Sequence, residues 1–299
     1  MSLFCIPPRT ALIARLAMLA CLVALLFAAG QPASASWWSE ETLEESYNVA
    51  EGIDYERRLY RNQEGQPVRA HIVSVTGVGD SYIFGVLGSF GALIEPSVYA
   101  RNTEALLVIN GGFFSWNPTR AIGLVMAHGR VLYPPPTRRP YHATLGFTPD
   151  QVLFDWVGPD EVAGNTIQKD NPAWQECHAA LGAGPLLIRK RHSRVEGEIE
   201  AFNMTQRAPR TAVGQLDSGK ILIYVVDGRQ PGWSAGVTLG ELAELFLARD
   251  AADAINLDGG GSSTLVIGDE VINRPSDRAL PNQPGVERAV ANVVALFAK

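Results

Sequence analysis

The chain has 299 residues, of which 46% are hydrophobic and 19% are charged, a composition typical of a globular protein and not of a disordered one. Its formal net charge is −6, so the chain lacks the basic balance that binding to a phosphate backbone demands, and we expect no nucleic-acid partner.

The first 35 residues have the three-part layout of a secretory signal. Residues 1–15 carry two arginines and no acid, residues 16–29 are almost wholly apolar, and Ala33-Ser34-Ala35 is a small-x-small cleavage site. The apolar run is short for a bilayer span, which needs about 20 residues. We expect 1–35 to be a signal peptide cleaved before Ser36, giving an exported protein, periplasmic or secreted, with no stable membrane span. A signal retained as an anchor is the alternative.

Cleavage of this signal would change the charge and the cysteine content. It removes two arginines and no acid, which moves the formal charge from −6 to about −8. Cys5 and Cys21 leave with it, and Cys177 then has no partner for an internal disulfide. We therefore expect the hydrophobic core to hold the fold.

Residues 36–51 are polar, acidic and aromatic, and we expect a loose lead-in with one short helix there. The N-terminal lead-in as a whole is expected to cover 36–67. From residue 68 onwards, β-branched and aromatic runs are separated by glycine-containing turns, which is typical of β-strands. No linker divides the remainder, so we expect 68–299 to be one domain. The predicted strands are 68–75, 82–86, 105–109, 124–126, 131–133, 143–147, 152–156, 186–188, 211–215, 220–226, 253–258, 264–267, 270–273 and 289–297.

Two helices are predicted among these strands. One covers 97–103. The other begins at Thr238, where Glu241 three residues later completes a capping box, and apolar residues then recur at helical spacing. Many strands with few helices indicate an α+β fold: a single domain with a mixed, largely antiparallel β-sheet core and a few flanking helices.

Residues 256–264 read N-L-D-G-G-G-S-S-T, at the end of an apolar run. A tight turn explains one or two glycines, but not three behind Asp258 and before two hydroxyls. A phosphate-binding P-loop requires a lysine and a following helix, and here no lysine follows and a hairpin is predicted. Successive backbone N–H groups of Gly259, Gly260, Gly261 and Ser262 would instead form an anion-binding nest beside the carboxylate.

Two other predicted strands end in the same way. Asn110-Gly111-Gly112 follows the strand 105–109, and Asp227-Gly228 follows 220–226. Each alone is more often a turn than a site. If the three strands lie in one sheet with their ends aligned, these residues would line a single cleft. Arg210-Thr211 and Arg288, each just before a strand, could add cations to it.

Several other motifs lack the neighbouring residues or elements that their function requires. The G-x-S-x-G pattern at 232–236 lacks the preceding strand, the immediately following helix and the later histidine that a serine hydrolase requires. None of the five histidines pairs with another at metal-ligand spacing. We expect neither a metal site nor a cofactor.

These residues together resemble the phosphodiester glycosidase family, over roughly residue 68 to the C-terminus. The resemblance rests on N-G-G-F-F at 110–114, R-T-A-V-G at 210–214, Asp227-Gly228, the 256–264 block with the later Pro275-Ser276-Asp277, and the glycine-proline element at 182–185. The resemblance implies a hydrolase that cleaves a sugar from a glycosyl phosphodiester and leaves a phosphomonoester.

The implied chemistry suggests a role for each group. Arg210 and Arg288 would hold the phosphate with the backbone of the glycine run. Asp258 and Asp227 are candidates for nucleophile, base or cation stabiliser, with the assignment between them open. The expected catalytic residues are Asp258, Asp227 and Arg210, and the expected substrate-binding residues are Asn110, Gly111, Gly112, Thr211, Gly259, Gly260, Gly261, Ser262 and Arg288.

Two other classes of function stay open at this point. The protein could be a non-catalytic envelope factor that binds anionic glycans during polysaccharide export, or a purely structural protein. The sequence leaves the sugar, the aglycone, the anomeric outcome and the oligomeric state undetermined.

Overall fold

The structure is a computed structural model, and it describes residues 36–89, 91–137, 143–195, 205–280 and 283–299. The expected signal at 1–35 lies outside the described residues. One compact unit extends from Trp38 to Lys299. None of the helices among the described residues combines the length and hydropathy that crossing a membrane requires.

The described residues form 22 β-strands, numbered here along the chain, and every pairing between them is antiparallel. The predicted strands are confirmed, with ends shifted by at most three residues. The strands are β1 (Trp38–Ala50), β2 (Ile53–Asn62), β3 (Pro67–Val75), β4 (Tyr82–Gly88), β5 (Leu107–Asn110), β6 (Phe114–Trp116), β7 (Thr119–Ala121), β8 (Val125–Ala127), β9 (Arg130–Tyr133), β10 (Ala143–Phe147), β11 (Val152–Trp156), β12 (Val162–Ala163), β13 (Thr166–Ile167), β14 (Ala179–Ala183), β15 (Leu186–Arg189), β16 (His192–Ser193), β17 (Arg210–Leu216), β18 (Ile221–Val226), β19 (Ala251–Asn256), β20 (Leu265–Ile267), β21 (Glu270–Val271) and β22 (Asn292–Ala298).

Three sheets build the core. The largest has the order β1-β2-β3-β18-β17-β19-β15-β16, and two five-stranded sheets have the orders β21-β20-β5-β22-β4 and β11-β10-β14-β8-β9. Buried apolar side chains from all three meet in one cluster, for example Ile223 on β18, Leu296 on β22 and Leu145 on β10. Burial of these side chains is the main stabilising contribution and fixes the strand ends against one another.

Two α-helices flank the sheets: α1 (Pro96–Arg101) and α2 (Leu239–Leu247). The predicted capping box is confirmed, since the Glu241 N–H donates to Thr238 Oγ1 at 3.1 Å and the Thr238 N–H donates to Glu241 Oε2 at 2.8 Å. The apolar face of α2 packs against β15 and β19. The largely antiparallel β core is thus confirmed, but two short helices among the described residues give little support to an α+β class.

The expectation of a short helix within residues 36–51 is wrong. Residues 38–62 form the long hairpin β1–β2, which joins the edge of the largest sheet and belongs to the compact unit. Both faces of β1 are largely exposed, so this strand lacks the apolar alternation that identifies a half-buried strand. Cross-strand ion pairs accompany the pairing, such as Arg58 with Glu41 at 2.8 Å and Arg57 with Glu44 at 3.0 Å.

Candidate active site

A cleft of about 220 Å³ opens at one end of the largest sheet. Because β17 is antiparallel to its two neighbours, its first three residues lie beside the last residues of β18 and β19. Glycine-loop backbone, three guanidinium groups, one carboxylate and a few neutral side chains form the walls. The lining residues are Phe113, Gln206, Ala208, Arg210, Arg229, Asn256, Asp258, Gly259, Gly260, Gly261 and Arg288.

The motif-bearing strands converge, but not within a single sheet. The strand β5, which ends at Asn110, lies in a different sheet from β18 and β19. The two sheets meet where the Asp258 N–H donates to the Gly111 carbonyl at 3.0 Å and Asn110 Nδ2 donates to the Asp258 carbonyl at 2.7 Å. The expectation of one sheet with aligned ends is therefore wrong, and the site lies at the junction of two sheets.

Asp258 is the carboxylate in the wall of the cleft, where it is partly exposed. Its Oδ1 accepts the Gly259 N–H at 2.9 Å, and the Ser262 hydroxyl donates to the same carboxylate. Burial raises the pKa of Asp258 to about 6, and the hydrogen bonds from Ser262 and Gly259, with the charges of Arg288 and Arg229, oppose this rise. The group titrates close to neutrality, as acid–base and nucleophilic groups of enzymes often do.

Arg210 is buried in the cleft wall, and among the described residues it forms no ion pair with a carboxylate. Its Nε donates to the Val237 carbonyl at 3.2 Å and its Nη2 donates to the Gln206 carbonyl at 2.9 Å. Burial and, second, the charge of Arg229 lower the pKa of Arg210 to about 10. A buried cation without a counter-ion is costly, so this position favours an anionic ligand.

Arg229 and Arg288 complete a group of three guanidinium groups with Arg210. Arg229 is exposed at the rim, and the described residues offer it no carboxylate within ion-pair distance. Arg288 is held by Asp277, to which its Nε donates at 3.0 Å. Facing one Asp258 carboxylate, the three arginines leave the cleft with an excess of positive charge.

The glycine run does not offer a free anion-binding nest. The N–H of Gly259 donates to Asp258 Oδ1, that of Gly260 to the Pro209 carbonyl at 2.9 Å, and that of Ser262 to the Gly259 carbonyl at 3.2 Å. Three of the four N–H groups of residues 259–262 are thus used within the protein, so the geometry does not support a nest of successive free donors for the phosphate.

Close approach of arginine side chains explains two of the glycines. A Cβ atom on Gly260 would lie 3.0 Å from Arg229 Nη1, and one on Gly261 would overlap with Arg288 Nη2. Gly260 also has a φ of +62°, a conformation that glycine adopts at little cost. The run therefore lets two guanidinium groups lie directly against the backbone.

Asn110 and Thr211, predicted to bind substrate, lie behind the cleft wall and are fully buried. Asn110 Oδ1 accepts the Thr211 hydroxyl at 2.7 Å and the Thr264 N–H at 3.1 Å, while its Nδ2 donates to Asp258. With these groups occupied, neither side chain is available to a sugar. The geometry does not support direct substrate contact for either residue, and their contacts support the loop that carries Asp258.

Gly111 and Gly112 are also part of the support and not of the cleft lining. The Gly111 N–H donates to the Asn292 carbonyl at 3.0 Å, and the Gly112 N–H donates to Asn292 Oδ1 at 2.8 Å. A Cβ atom on Gly111 would overlap with Asn292 Oδ1, and one on Gly112 with the Gly182 carbonyl oxygen. Close packing between strands requires these two glycines.

Asp227 lies outside the cleft lining, with its side chain fully buried. Its carboxylate accepts hydrogen bonds from Trp233 Nε1 at 2.8 Å, Asn273 Nδ2 at 3.1 Å and the Arg274 N–H at 3.0 Å, and it lies 3.3 Å from His71 Nε2. These partners leave no room for a reacting atom, so the position of Asp227 does not support the predicted catalytic role.

Five cleft residues were not among the predicted site residues: Phe113, Gln206, Ala208, Arg229 and Asn256. Asn256 stands two residues before Asp258, and Arg229 two residues after Asp227, so proximity to the motifs was the available signal. Nothing in the local sequence around Gln206 indicates a site.

Comparisons with known proteins agree with this description. The family model described as phosphodiester glycosidase matches residues 103–297. The N-acetylglucosamine-1-phosphodiester alpha-N-acetylglucosaminidase of Bos taurus is 29% identical over 206 residues, which are 66% of this chain and 38% of that protein. The protein of the same name from Mus musculus is 29% identical over 260 residues, 80% of this chain and 48% of that protein. The chain thus spans less than half the length of these relatives.

The fold is also found in a solved structure. The catalytic domain of the zebrafish N-acetylglucosamine-1-phosphodiester alpha-N-acetylglucosaminidase, auto-inhibited by its pro-peptide, superposes with a TM-score of 0.69 at 21% identity, covering 87% of this chain and 88% of that one. The resemblance predicted from the sequence is confirmed: the chain belongs to the phosphodiester glycosidase family.

Proposed function

We propose that this protein is an exported hydrolase that cleaves a sugar from a glycosyl phosphodiester and leaves a phosphomonoester. The observation that carries the proposal is the cleft in which Arg210, Arg229 and Arg288 face Asp258. Cations bind and neutralise the phosphate, and a carboxylate stabilises the positive charge that develops at the anomeric carbon as the glycosidic bond breaks. The signal-like residues 1–35 support export.

The nature of the leaving group fits a cleft with one carboxylate. Most glycosidases use two carboxyl groups. One of them protonates the glycosidic oxygen, because the unprotonated alkoxide is a poor leaving group. A phosphomonoester has a second pKa of about 6 and departs near neutral pH without a proton donor. Among the described residues, Asp258 is the only acidic residue in the cleft lining.

The phosphate is assigned to the arginine side of the cleft. Arg210 is fixed by two carbonyl acceptors, so its guanidinium is oriented before the substrate arrives. Charge–charge interactions are strong at such a buried position. As the bond to the sugar lengthens, negative charge grows on the phosphate oxygens, and the arginines stabilise the transition state more than the ground state.

Asp258 acts in its ionised form. With a pKa raised by burial to about 6, the carboxylate is largely charged at pH 7. The Gly259 N–H and the Ser262 hydroxyl hold it in one orientation. An ionised, oriented carboxylate can attack the anomeric carbon or stabilise an oxocarbenium-like transition state, and both roles fail when it is protonated.

Hydrolysis assays with one substitution test the proposal. The purified protein is incubated with N-acetylglucosamine and glucose 1-(methyl phosphate) diesters, and released sugar and methyl phosphate are identified. We expect hydrolysis by the wild type and a loss of several orders of magnitude in Asp258→Asn. The exposed hairpin residue Asp269 provides the control, since Asp269→Asn should retain activity. Binding of the diesters without release of sugar, unchanged by Asp258→Asn, would instead identify a non-catalytic binder of anionic glycans.

A further inference from the structure

Asn256 has an acceptor atom that the protein leaves unused. The residue is the last of β19, its side chain is 2% exposed, and it lines the cleft two residues before Asp258. Its Nδ2 donates to the Gly184 carbonyl at 2.8 Å and to the Leu257 carbonyl at 2.7 Å. Its Oδ1 is buried and has no hydrogen-bond partner within the described part of the chain.

The orientation of this amide is determined by its surroundings. Exchanging Oδ1 and Nδ2 would place an oxygen against two carbonyl oxygens, so Nδ2 must occupy the inner position. The backbone holds the residue in place, since the Asn256 N–H donates to the Pro185 carbonyl at 3.0 Å and the Gly184 N–H donates to the Asn256 carbonyl at 2.8 Å. Oδ1 is therefore left as the unpaired atom of a side chain that belongs to the cleft lining.

A buried acceptor without a donor costs free energy that a suitable ligand regains. A phosphate oxygen is itself an acceptor and would be repelled by Oδ1, whereas an O–H or N–H group would be bound. Arg210, Arg229 and Arg288 attract the phosphate. The Asn256 acceptor instead favours a hydrogen-bond donor, so it suits the sugar part of the ligand. The three arginines and Asn256 together favour a single orientation of a sugar phosphate in the cleft.

We propose that Asn256 Oδ1 accepts a hydrogen bond from an O–H or N–H group on the sugar whose anomeric carbon faces Asp258, and that this bond selects the sugar. The inference rests on the proposed function for the orientation of the substrate. Asn256 is accordingly a specificity-determining residue: it rejects analogues in which one ring substituent cannot donate.

A series of substrate analogues tests this on the wild-type protein. Glycosyl methyl phosphates are prepared with each ring hydroxyl or acetamido group replaced in turn by hydrogen or fluorine, neither of which donates. We expect kcat/KM to fall by about 10²-fold or more at one ring position, because sites that hydrogen-bond a substrate group discriminate strongly against its removal. Losses below 5-fold at every position would overturn the proposal.

A protein variant then assigns the discrimination to Asn256. In Asn256→Ala the ratio of kcat/KM between the parent and the sensitive analogue should approach one. A general loss of packing would instead lower kcat/KM equally for both substrates and leave the ratio unchanged. The exposed residue Asn102 is the matched control, since Asn102→Ala should keep the wild-type ratio. Retention of the full ratio in a folded Asn256→Ala protein would contradict the assignment.

A binding measurement separates failure of this inference from failure of the proposed function. Glucose 1-phosphate and N-acetylglucosamine 1-phosphate, with their monodeoxy analogues, are titrated calorimetrically into wild type and Asn256→Ala. If no diester is hydrolysed, the proposed function fails, but a deoxy analogue that binds the wild type at least tenfold more weakly still supports the Asn256 contact. Equal affinities for all analogues would exclude it.

Discussion

Asn110 donates a hydrogen bond from Nδ2 to the backbone carbonyl of Asp258 across 2.7 Å. Its Oδ1 accepts the N–H of Thr264 at 3.1 Å, so a single side chain holds both ends of the segment that contains the three glycines. Because Asn110 ends a strand of a different sheet, these bonds set the position of the cleft loop relative to two sheets. The residue is buried behind the cleft wall and supports the loop that carries Asp258.

Asn110→Ala should therefore destabilise the fold and disorder the site together. It leaves the Thr264 N–H, the Thr211 hydroxyl and the Asp258 carbonyl without their partner, and an unpaired buried polar group costs about 1–3 kcal/mol. We expect denaturant titration to show a fall of about 2–4 kcal/mol in the free energy of unfolding. Asn102→Ala, at an exposed position, should change it by less than about 0.5 kcal/mol. Equal stability of the two variants would contradict the bracing role.

The pH dependence of the reaction should report on Asp258. The pKa of this group is raised by burial to about 6, and the proposed reaction uses the ionised form. We expect kcat/KM to rise with pH through about 6 and to level off above it. The phosphodiester stays a monoanion over this range, so the rise belongs to the protein.

The control for this profile is the residual activity of Asp258→Asn, which should lack the rising limb. A profile that falls as the pH increases through 6 would mean that Asp258 works as a protonated acid. That outcome would contradict the assignment of the ionised form.

The sequence identified the convergence of strand ends but could not rank the two carboxylates. Asp227 and Asp258 each follow an apolar strand and precede a glycine, so their local patterns are equivalent. They differ in tertiary partners: Trp233 and Asn273 enclose Asp227, whereas Asp258 opens to the cleft. Such contacts depend on how loops from distant parts of the chain pack, and local periodicity does not report them.

The same limitation applies elsewhere in the chain. The hairpin β1–β2 was missed because β1 is exposed on both faces, which removes the alternation on which strand prediction depends. Asn110 was expected to bind the sugar because its type and place at a strand end suited that role. Only its partners, all of which lie far away in sequence, reveal that it braces the loop.

Asp227→Asn tests whether the Asp227 carboxylate supports the fold or takes part in the reaction. The amide presents an N–H₂ group to donors that now share the carboxylate, including Trp233 Nε1 and the Arg274 N–H. We expect a loss of at least about 2 kcal/mol in the free energy of unfolding. We expect kcat/KM at 20 °C to fall by less than tenfold and its rise near pH 6 to persist. A loss of activity as large as that of Asp258→Asn, with stability unchanged, would restore Asp227 as a catalytic residue.

Gly261→Ala should impair catalysis while leaving the fold intact. The new methyl group would overlap with the ends of the Arg288 and Asp277 side chains, which can move aside, whereas the backbone of the loop need not. Displacing this guanidinium would remove one of the proposed charge-assisted contacts to the phosphate, and such contacts contribute about 1.5–3 kcal/mol, or roughly 10- to 150-fold in kcat/KM. We expect a loss of that size with a thermal unfolding midpoint within a few degrees of the wild type.

Substitutions at two other glycines serve as controls for this result. Gly240→Ala adds a methyl group on α2 with no atom nearer than 3.8 Å, so activity should stay at the wild-type level. Gly112→Ala drives a methyl group into the Gly182 carbonyl oxygen, which is backbone and cannot move away, so stability should fall first. If Gly261→Ala behaves like Gly240→Ala in the kinetic assay, Arg288 does not bind the phosphate from its position against the glycine run.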